Sequence, residues 1–163
     1  MEKILLKKYI NYLVVFFIIF FFDRLSKLYI IDLAEINSSV NLYITSYINL
    51  FLIWNKGVAF GFLSFEDNQI YNFVTSLIIL INIIIIYLII KIKDFKVYFF
   101  LLILGGSSGN LFDRLYYKAV PDFIDLHIDD FHWFIFNVAD IFISIGVICL
   151  IFVEIFFNKK LSK

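Results

Sequence analysis

Gly105-Gly106-Ser107-Ser108-Gly109-Asn110-Leu111-Phe112-Asp113-Arg114 breaks up an apolar run that would otherwise cross a bilayer. Val120-Pro121-Asp122-Phe123-Ile124-Asp125 and Phe136-Asn137-Val138-Ala139-Asp140 follow it. Asp113, Asp122, Asp125 and Asp140 thus fall within 28 residues, beside apolar stretches of lipid length. A carboxylate in the hydrocarbon layer costs roughly a few kcal/mol, so acids there are rare and mark function. The fold has to account for this density of acid at a membrane boundary.

Outward from that stretch, the composition supports a membrane protein. Of 163 residues, 63% are hydrophobic and the mean hydropathy is +0.94, where soluble domains hold about 45–50% apolar residues. One Pro and six Gly leave little room for flexible linkers, so residues 1–163 read as a single membrane domain. The one cysteine, Cys149, excludes an intrachain disulfide. On an apolar helix a lone thiol is a packing residue. A net charge of +0 gives no sign of a nucleic-acid partner.

A span of about 30 Å takes roughly 20 helical residues. Four stretches suffice, at about 9–31, 70–90, 97–115 and 138–157. The first is not a cleaved leader: Tyr9 to Phe22 ends in Asp23-Arg24-Leu25-Ser26-Lys27 with no small-residue cleavage site, then resumes as Leu28-Tyr29-Ile30-Ile31. Basic residues set the orientation. Lys3, Lys7 and Lys8 precede helix one; Lys91, Lys93 and Lys96 link helices two and three; Lys159, Lys160 and Lys163 follow helix four. Four spans put all three clusters, and both termini, on the cytoplasmic side. The segments 32–69 and 116–137 are then extracytoplasmic.

These outer segments alternate like strands. Val40, Leu42 and Ile44 interleave with Asn41, Tyr43 and Thr45, and Thr45-Ser46 marks a turn. Ile48, Leu50, Leu52 and Trp54 interleave with Tyr47, Asn49, Phe51 and Ile53. The expected fold class is a membrane all-α core, four transmembrane helices with a small extracytoplasmic β-cradle between helices 1 and 2. In a further short strand, Asp122 shares its parity with Ile124, Leu126 and Ile128, so it is expected to point inward. Phe123, Asp125, His127 and Asp129 take the other parity, with Asp125 and His127 facing water.

Asp122 and Asp140 are the pair singled out for chemistry. Two carboxylates at a low-dielectric boundary cannot both ionise easily. One keeps a proton, and the other acts as a base toward water, which is what aspartic proteolysis needs. Spacing alone leaves two plainer readings open: Asp140 as a helix-dipole carboxylate and Asp122 as a solvated loop residue. Asp113 and Arg114 read as structural contacts, Asp23 and Lys27 as a pair within helix one, and Gly105, Gly106 and Gly109 as sites of close helix approach. His127 and His132, with Asp125, Asp129 and Asp130, match no common zinc spacing, so no metal and no cofactor is expected. Ser26 and Lys27 diverge on a helix and form no dyad. A transporter lined by Asp23, Asp113 and Asp140 is one rival. A non-catalytic membrane subunit, whose acids merely pair with Arg114 or Lys27, is another.

Five motifs in order resemble those of the bacterial lipoprotein signal peptidases (signal peptidase II), a family of membrane aspartic proteases. They are Asp23-Arg24-Leu25-Ser26-Lys27, Asn55-Lys56-Gly57-Val58-Ala59-Phe60-Gly61, the 105–114 run, and the two runs ending in Asp125 and Asp140. The resemblance implies a hydrolase of the bacterial inner membrane that cuts prolipoproteins just before a diacylglyceryl-modified cysteine. It implies Asp122 and Asp140 as the catalytic dyad. Asn110, Arg114, Asn137 and Ala139 would line or support the site, Asn55 and Gly57 would sit in the cradle, and Asp23 and Lys27 would support it. It also implies membrane lipid as surroundings, globomycin-type peptides as inhibitors, and action as a monomer. Ser26 stands where Thr is usual, Pro121 precedes Asp122, and Tyr116 to Ala119 lacks an expected glycine.

Overall fold

The computed structural model describes residues 2–37, 39–57 and 68–157. In chain order the elements are α1 (Glu2–Asn37), β1 (Asn41–Thr45), β2 (Ile48–Asn55), α2 (Asn68–Lys91), α3 (Val97–Tyr117), β3 (Val120–Ile128), β4 (Phe131–Phe136) and α4 (Val138–Phe157). The second half of the 55–61 motif and Lys159, Lys160 and Lys163 lie outside the described residues. Two helices, over Gln69–Lys91 and Val138–Phe156, are each apolar and long enough to cross a bilayer.

The helix α1 runs well past the apolar stretch that ends near residue 31. Its 36 residues extend about 54 Å at about 1.5 Å each. The extension has a reason in packing. Ile30, Leu33 and Ala34 share a helical face and meet Val40, Phe123, Leu50, Leu52, Ile124 and Val138. The last turns of α1 thus seat the sheet on the helices.

The centre of the bundle is α3, which packs against α1, α2 and α4. Its glycines allow this. A Cβ on Gly105 would lie 2.7 Å from Ile19 Cγ2, and one on Gly106 would lie 2.5 Å from the Ala139 carbonyl oxygen. At one end of the bundle, Tyr12, Ile85, Ile89, Val97, Leu101 and Leu104 form a buried cluster. Near that end Lys7, Lys8 and Lys93 line one hollow, and Lys96 Nζ reaches Glu154 Oε2 at 3.0 Å. The basic residues of α1 and of the α2–α3 link therefore gather together.

The sheet has the order β1-β2-β3-β4, antiparallel throughout. This corrects the expected cradle, because two of its four strands come from the connection between α3 and α4. The β1–β2 turn needs no glycine: Thr45 Oγ1 accepts from the Tyr47 and Ile48 N–H groups at 3.2 and 3.1 Å. The α3–β3 turn lacks one too, and Lys118 takes the left-handed conformation there (φ 61°). Pro121 sits near the start of β3, where only β2 is paired; β4 joins at Ile124. A missing backbone donor is tolerated at such a one-sided position.

Candidate active site

Asn137 is the N-cap of α4, and Asp140 is three residues on. The Asp140 N–H donates to Asn137 Oδ1 at 3.1 Å, and the Asn137 N–H donates to Asp140 Oδ2 at 3.2 Å. This is a capping box built from Asn and Asp. A further free N–H of that first turn, on Ala139, donates to Asp23 Oδ1 of α1 at 2.9 Å. Helix α4 thus starts where its backbone donors find these acceptors, which fixes the depth of Asp140.

Three asparagines hold the two carboxylates. Asn55 Nδ2 donates to Asp122 Oδ2 at 2.8 Å, Asn137 Nδ2 to Asp122 Oδ1 at 2.6 Å, and Asn110 Nδ2 to Asp140 Oδ1 at 2.9 Å. Each amide oxygen has its own donor. The Gly57 N–H donates to Asn55 Oδ1 at 2.7 Å, Lys27 Nζ to Asn110 Oδ1 at 2.7 Å, and the Asp140 N–H to Asn137. A flipped amide would turn its oxygen onto a carboxylate and its NH₂ onto a donor, so all three orientations are determined. Asn137 bonds both acids and ties them into one unit.

Behind these lies a buried charge cluster. Lys27 is fully buried, 2.8 Å from Asp23 Oδ2 and 2.7 Å from Asp113 Oδ2. The Asp113 contact is close charge pairing without hydrogen-bond alignment. Arg24 pairs with Asp113 Oδ1 and lies over the Phe112 ring. Arg114 donates to the Gly57 carbonyl, its own carbonyl accepts from Tyr71 Oη at 2.8 Å, and its guanidinium lies over the Tyr71 ring. Buried charges persist only when compensated, by an opposite charge for Lys27 and Arg24 and by a carbonyl and a ring face for Arg114. Ser26 Oγ donates to the Asp23 carbonyl of its own helix at 2.7 Å, so it forms no dyad with Lys27.

Gly109 lets Asp23 approach. A Cβ there would collide with Asp23 Oδ2. Gly109→Ala is therefore expected to destabilise the protein by about 1–3 kcal/mol through overpacking and to loosen the start of α4. A lowered melting temperature in detergent would show it; an unchanged one would contradict this packing.

Asp122 and Asp140 line a cleft of about 230 Å³ with Asn55, Asn110, Arg114 and Asn137, closed by Ile78, Val120, Ile143, Ser107 and Ser144. Burial, and then the negative charge of Asp140 beside it, push the Asp122 carboxyl up to about 7. Hydrogen bonds from Asn55 and Asn137 and the charge of Lys27 pull the other way. A carboxyl able to hold a proton beside a second carboxylate, facing an open cleft, can run acid–base chemistry on a bound water.

Residues 15–157 match the family description "Signal peptidase (SPase) II". The lipoprotein signal peptidase of Pelagibacter ubique (strain HTCC1062) is 58% identical over 160 residues, 98% of this chain and 96% of that protein. The chain belongs to the signal peptidase II family. The lipoprotein signal peptidase of Anaplasma phagocytophilum (strain HZ) is 39% identical over 158 residues, covering 96% of this chain and 99% of its own. Among solved structures, a bacterial membrane enzyme superposes with a TM-score of 0.70 at 27% identity, over 94% of this chain and 92% of that one.

In this signal peptidase II chain the expected dyad and the residues expected to line or support it fall in or against one cluster. Asp122, Asp140, Asn55, Asn110, Arg114 and Asn137 line the cleft. Gly57, Ala139, Asp23 and Lys27 stand behind it as hydrogen-bond partners. Strand parity misled at Asp125 and His127. Both are buried, and the other parity is the more open, with Ile128 at 52% exposure. Pairing accounts for it: Asp125 is held by His132 Nδ1 at 2.9 Å, so polarity on that face does not mean solvent. Tyr71, Ser107, Ser144, Ile78 and Ile143 were missed as parts of the site. Ser107 lies within a quoted motif, whereas the other four carry no sequence signal, only position in the folded chain.

Proposed function

We propose that this signal peptidase II chain is a membrane aspartic endopeptidase. It removes the signal peptide of a prolipoprotein by cutting just before a diacylglyceryl-modified cysteine, with Asp122 and Asp140 as the catalytic pair. One observation carries the reading: Asn137 bonds both carboxylates at the rim of a single cleft. Asp122, pushed up to about 7, holds the proton near neutral pH, and Asp140 serves as the base. Asp140 takes a proton from water as its oxygen attacks the scissile carbonyl, while Asp122 gives its proton to the carbonyl oxygen. The diol collapses as Asp140 passes the proton to the leaving nitrogen and Asp122 recovers one from the diol. Both carboxyls return to their starting states.

The four helices each span the membrane in this reading, with both termini cytoplasmic. The gathered Lys7, Lys8 and Lys93 supply the positive-inside end. The cleft lies toward the other, extracytoplasmic end, where Trp54, Tyr117 and Trp133 suit an interfacial aromatic belt. A lipid-anchored cysteine brings its scissile bond to that depth, and Ile78, Val120 and Ile143 offer apolar walls. Asp23, Arg24, Lys27 and Asp113 of α1 and α3 pair with one another, which disfavours a transport path.

Purified protein in detergent, given a diacylglyceryl-modified precursor and its unmodified counterpart, is expected to cleave only the first. Cleavage of both at equal rates would contradict the substrate assignment. Its kcat/KM is expected to fall as pH rises past about 7, because Asp122 loses its proton. Asn55→Ala removes a hydrogen bond that favours the Asp122 carboxylate, so the falling limb should move to higher pH. A limb that stays put or moves lower would contradict the role given to Asn55.

A further inference from the structure

A second polar cluster stands on the β3–β4 hairpin, separate from the acid pair. Asp125 and His127 are two apart on β3 and share a face. His132 on β4 is the cross-strand partner of His127. The two imidazoles stack at 5.2 Å between centroids, with planes 25° apart. One oxygen, Asp125 Oδ2, lies 2.9 Å from His132 Nδ1 and 3.6 Å from His127 Nδ1. The three donor atoms all fall within 4.8 Å of one another.

We propose that Asp125, His127 and His132 form a binding site for a first-row divalent transition metal of the Zn²⁺ class. Three features favour an ion over a plain hydrogen-bonded pair. Asp125 is 3% exposed and the His127 side chain 10%, so two of the three donors are preset in the strand. The buried His127 Nδ1 finds no hydrogen-bond partner among the described residues, although it is turned toward the shared carboxylate. Two imidazoles and a carboxylate are a ligand set that Zn²⁺ accepts, with bonds of about 2.0–2.2 Å and hence donors about 3.3 Å apart. The observed 2.9 and 3.6 Å bracket that spacing.

The exposed ring of His132, 58% open, supplies the movable third ligand and leaves a fourth position to water. To bind, His132 takes the tautomer with its proton on Nε2, so that its Nδ1 and the His127 Nδ1 both turn lone pairs to the metal. The ion would clamp β3 to β4. Asp122 lies near the start of β3, and Asn137 directly follows β4.

The test is titration of the purified, detergent-solubilised protein with Zn²⁺ by calorimetry, and with Co²⁺ by visible absorption. One equivalent of Zn²⁺ is expected, with a tetrahedral Co²⁺ band and a raised melting temperature. His127→Gln and His132→Gln should each lose all three signals. His132 is exposed, so its variant keeps the fold even where His127→Gln does not. Asp122→Asn should bind as the unaltered protein does. No uptake, or uptake that survives in His132→Gln, would overturn the proposal. Loss in Asp122→Asn would overturn it too, by moving the ion to the acid pair.

Discussion

Asp140→Asn and Asp122→Asn are each expected to lower kcat on a lipidated precursor by about 10³- to 10⁴-fold, the upper range for removing one general acid or base. The geometry makes these clean probes. An amide at 140 keeps an oxygen to accept the Asn137 N–H, so the capping box and the start of α4 survive and only the Asn110 bond is lost. An amide at 122 still accepts one of the two asparagine bonds. Neither amide can take a proton from water or hold one for the carbonyl oxygen. Melting temperatures should therefore change little while turnover collapses. Turnover within tenfold of the unaltered protein for either variant would remove that residue from the chemistry.

Lys27→Met has the second largest expected effect, this time on stability. The ammonium is fully buried and meets Asp23, Asn110 and Asp113. Removing it leaves Asp23 without its cation and Asp113 with Arg24 alone. Breaking a buried pair from one side costs about 3–5 kcal/mol, because the stranded charge stays out of water. Activity should fall too, because the Asn110 amide loses the donor that turns its NH₂ toward Asp140. Thermal unfolding in detergent checks the first effect. Adding Asp23→Asn should restore part of the loss, since it neutralises the stranded acid while keeping an acceptor for the Ala139 N–H. A Lys27→Met protein as stable as the parent would show that the cluster contributes little.

Much of this site was legible in the chain because its chemistry needs residue types that a lipid-facing sequence otherwise excludes. Asp23, Lys27, Asn110, Asp113, Arg114, Asp122, Asn137 and Asp140 stand out against Ile and Phe. Spacing of three or four on a helix was enough to pair Asp23 with Lys27 and Asn137 with Asp140. The apolar runs at 70–90, 97–115 and 138–157 likewise trace α2, α3 and α4.

What failed, failed for identifiable reasons. The end of α1 was hidden because Asp32 and Glu35 interrupt hydropathy, although Ile30, Leu33 and Ala34 keep a helical period. The strand β4 is Phe131-His132-Trp133-Phe134-Ile135-Phe136, apolar at both parities, so period two gives no signal there. Strand parity at Asp125 assumed that polar means wet, and a histidine across the hairpin reverses that. The bulge in β2 between Leu50 and Ile53 also resets which residue faces which beside Asp122.

Asp122 and Asp140 are expected to act as one catalytic unit. The most direct test is kcat on the diacylglyceryl-modified precursor for Asp122→Asn, Asp140→Asn and the double variant, side by side. Groups that share one proton inventory are lost together. The double variant is expected to be no slower than either single one. Losses that multiply in the double variant, or a single variant that keeps the parent rate, would contradict it.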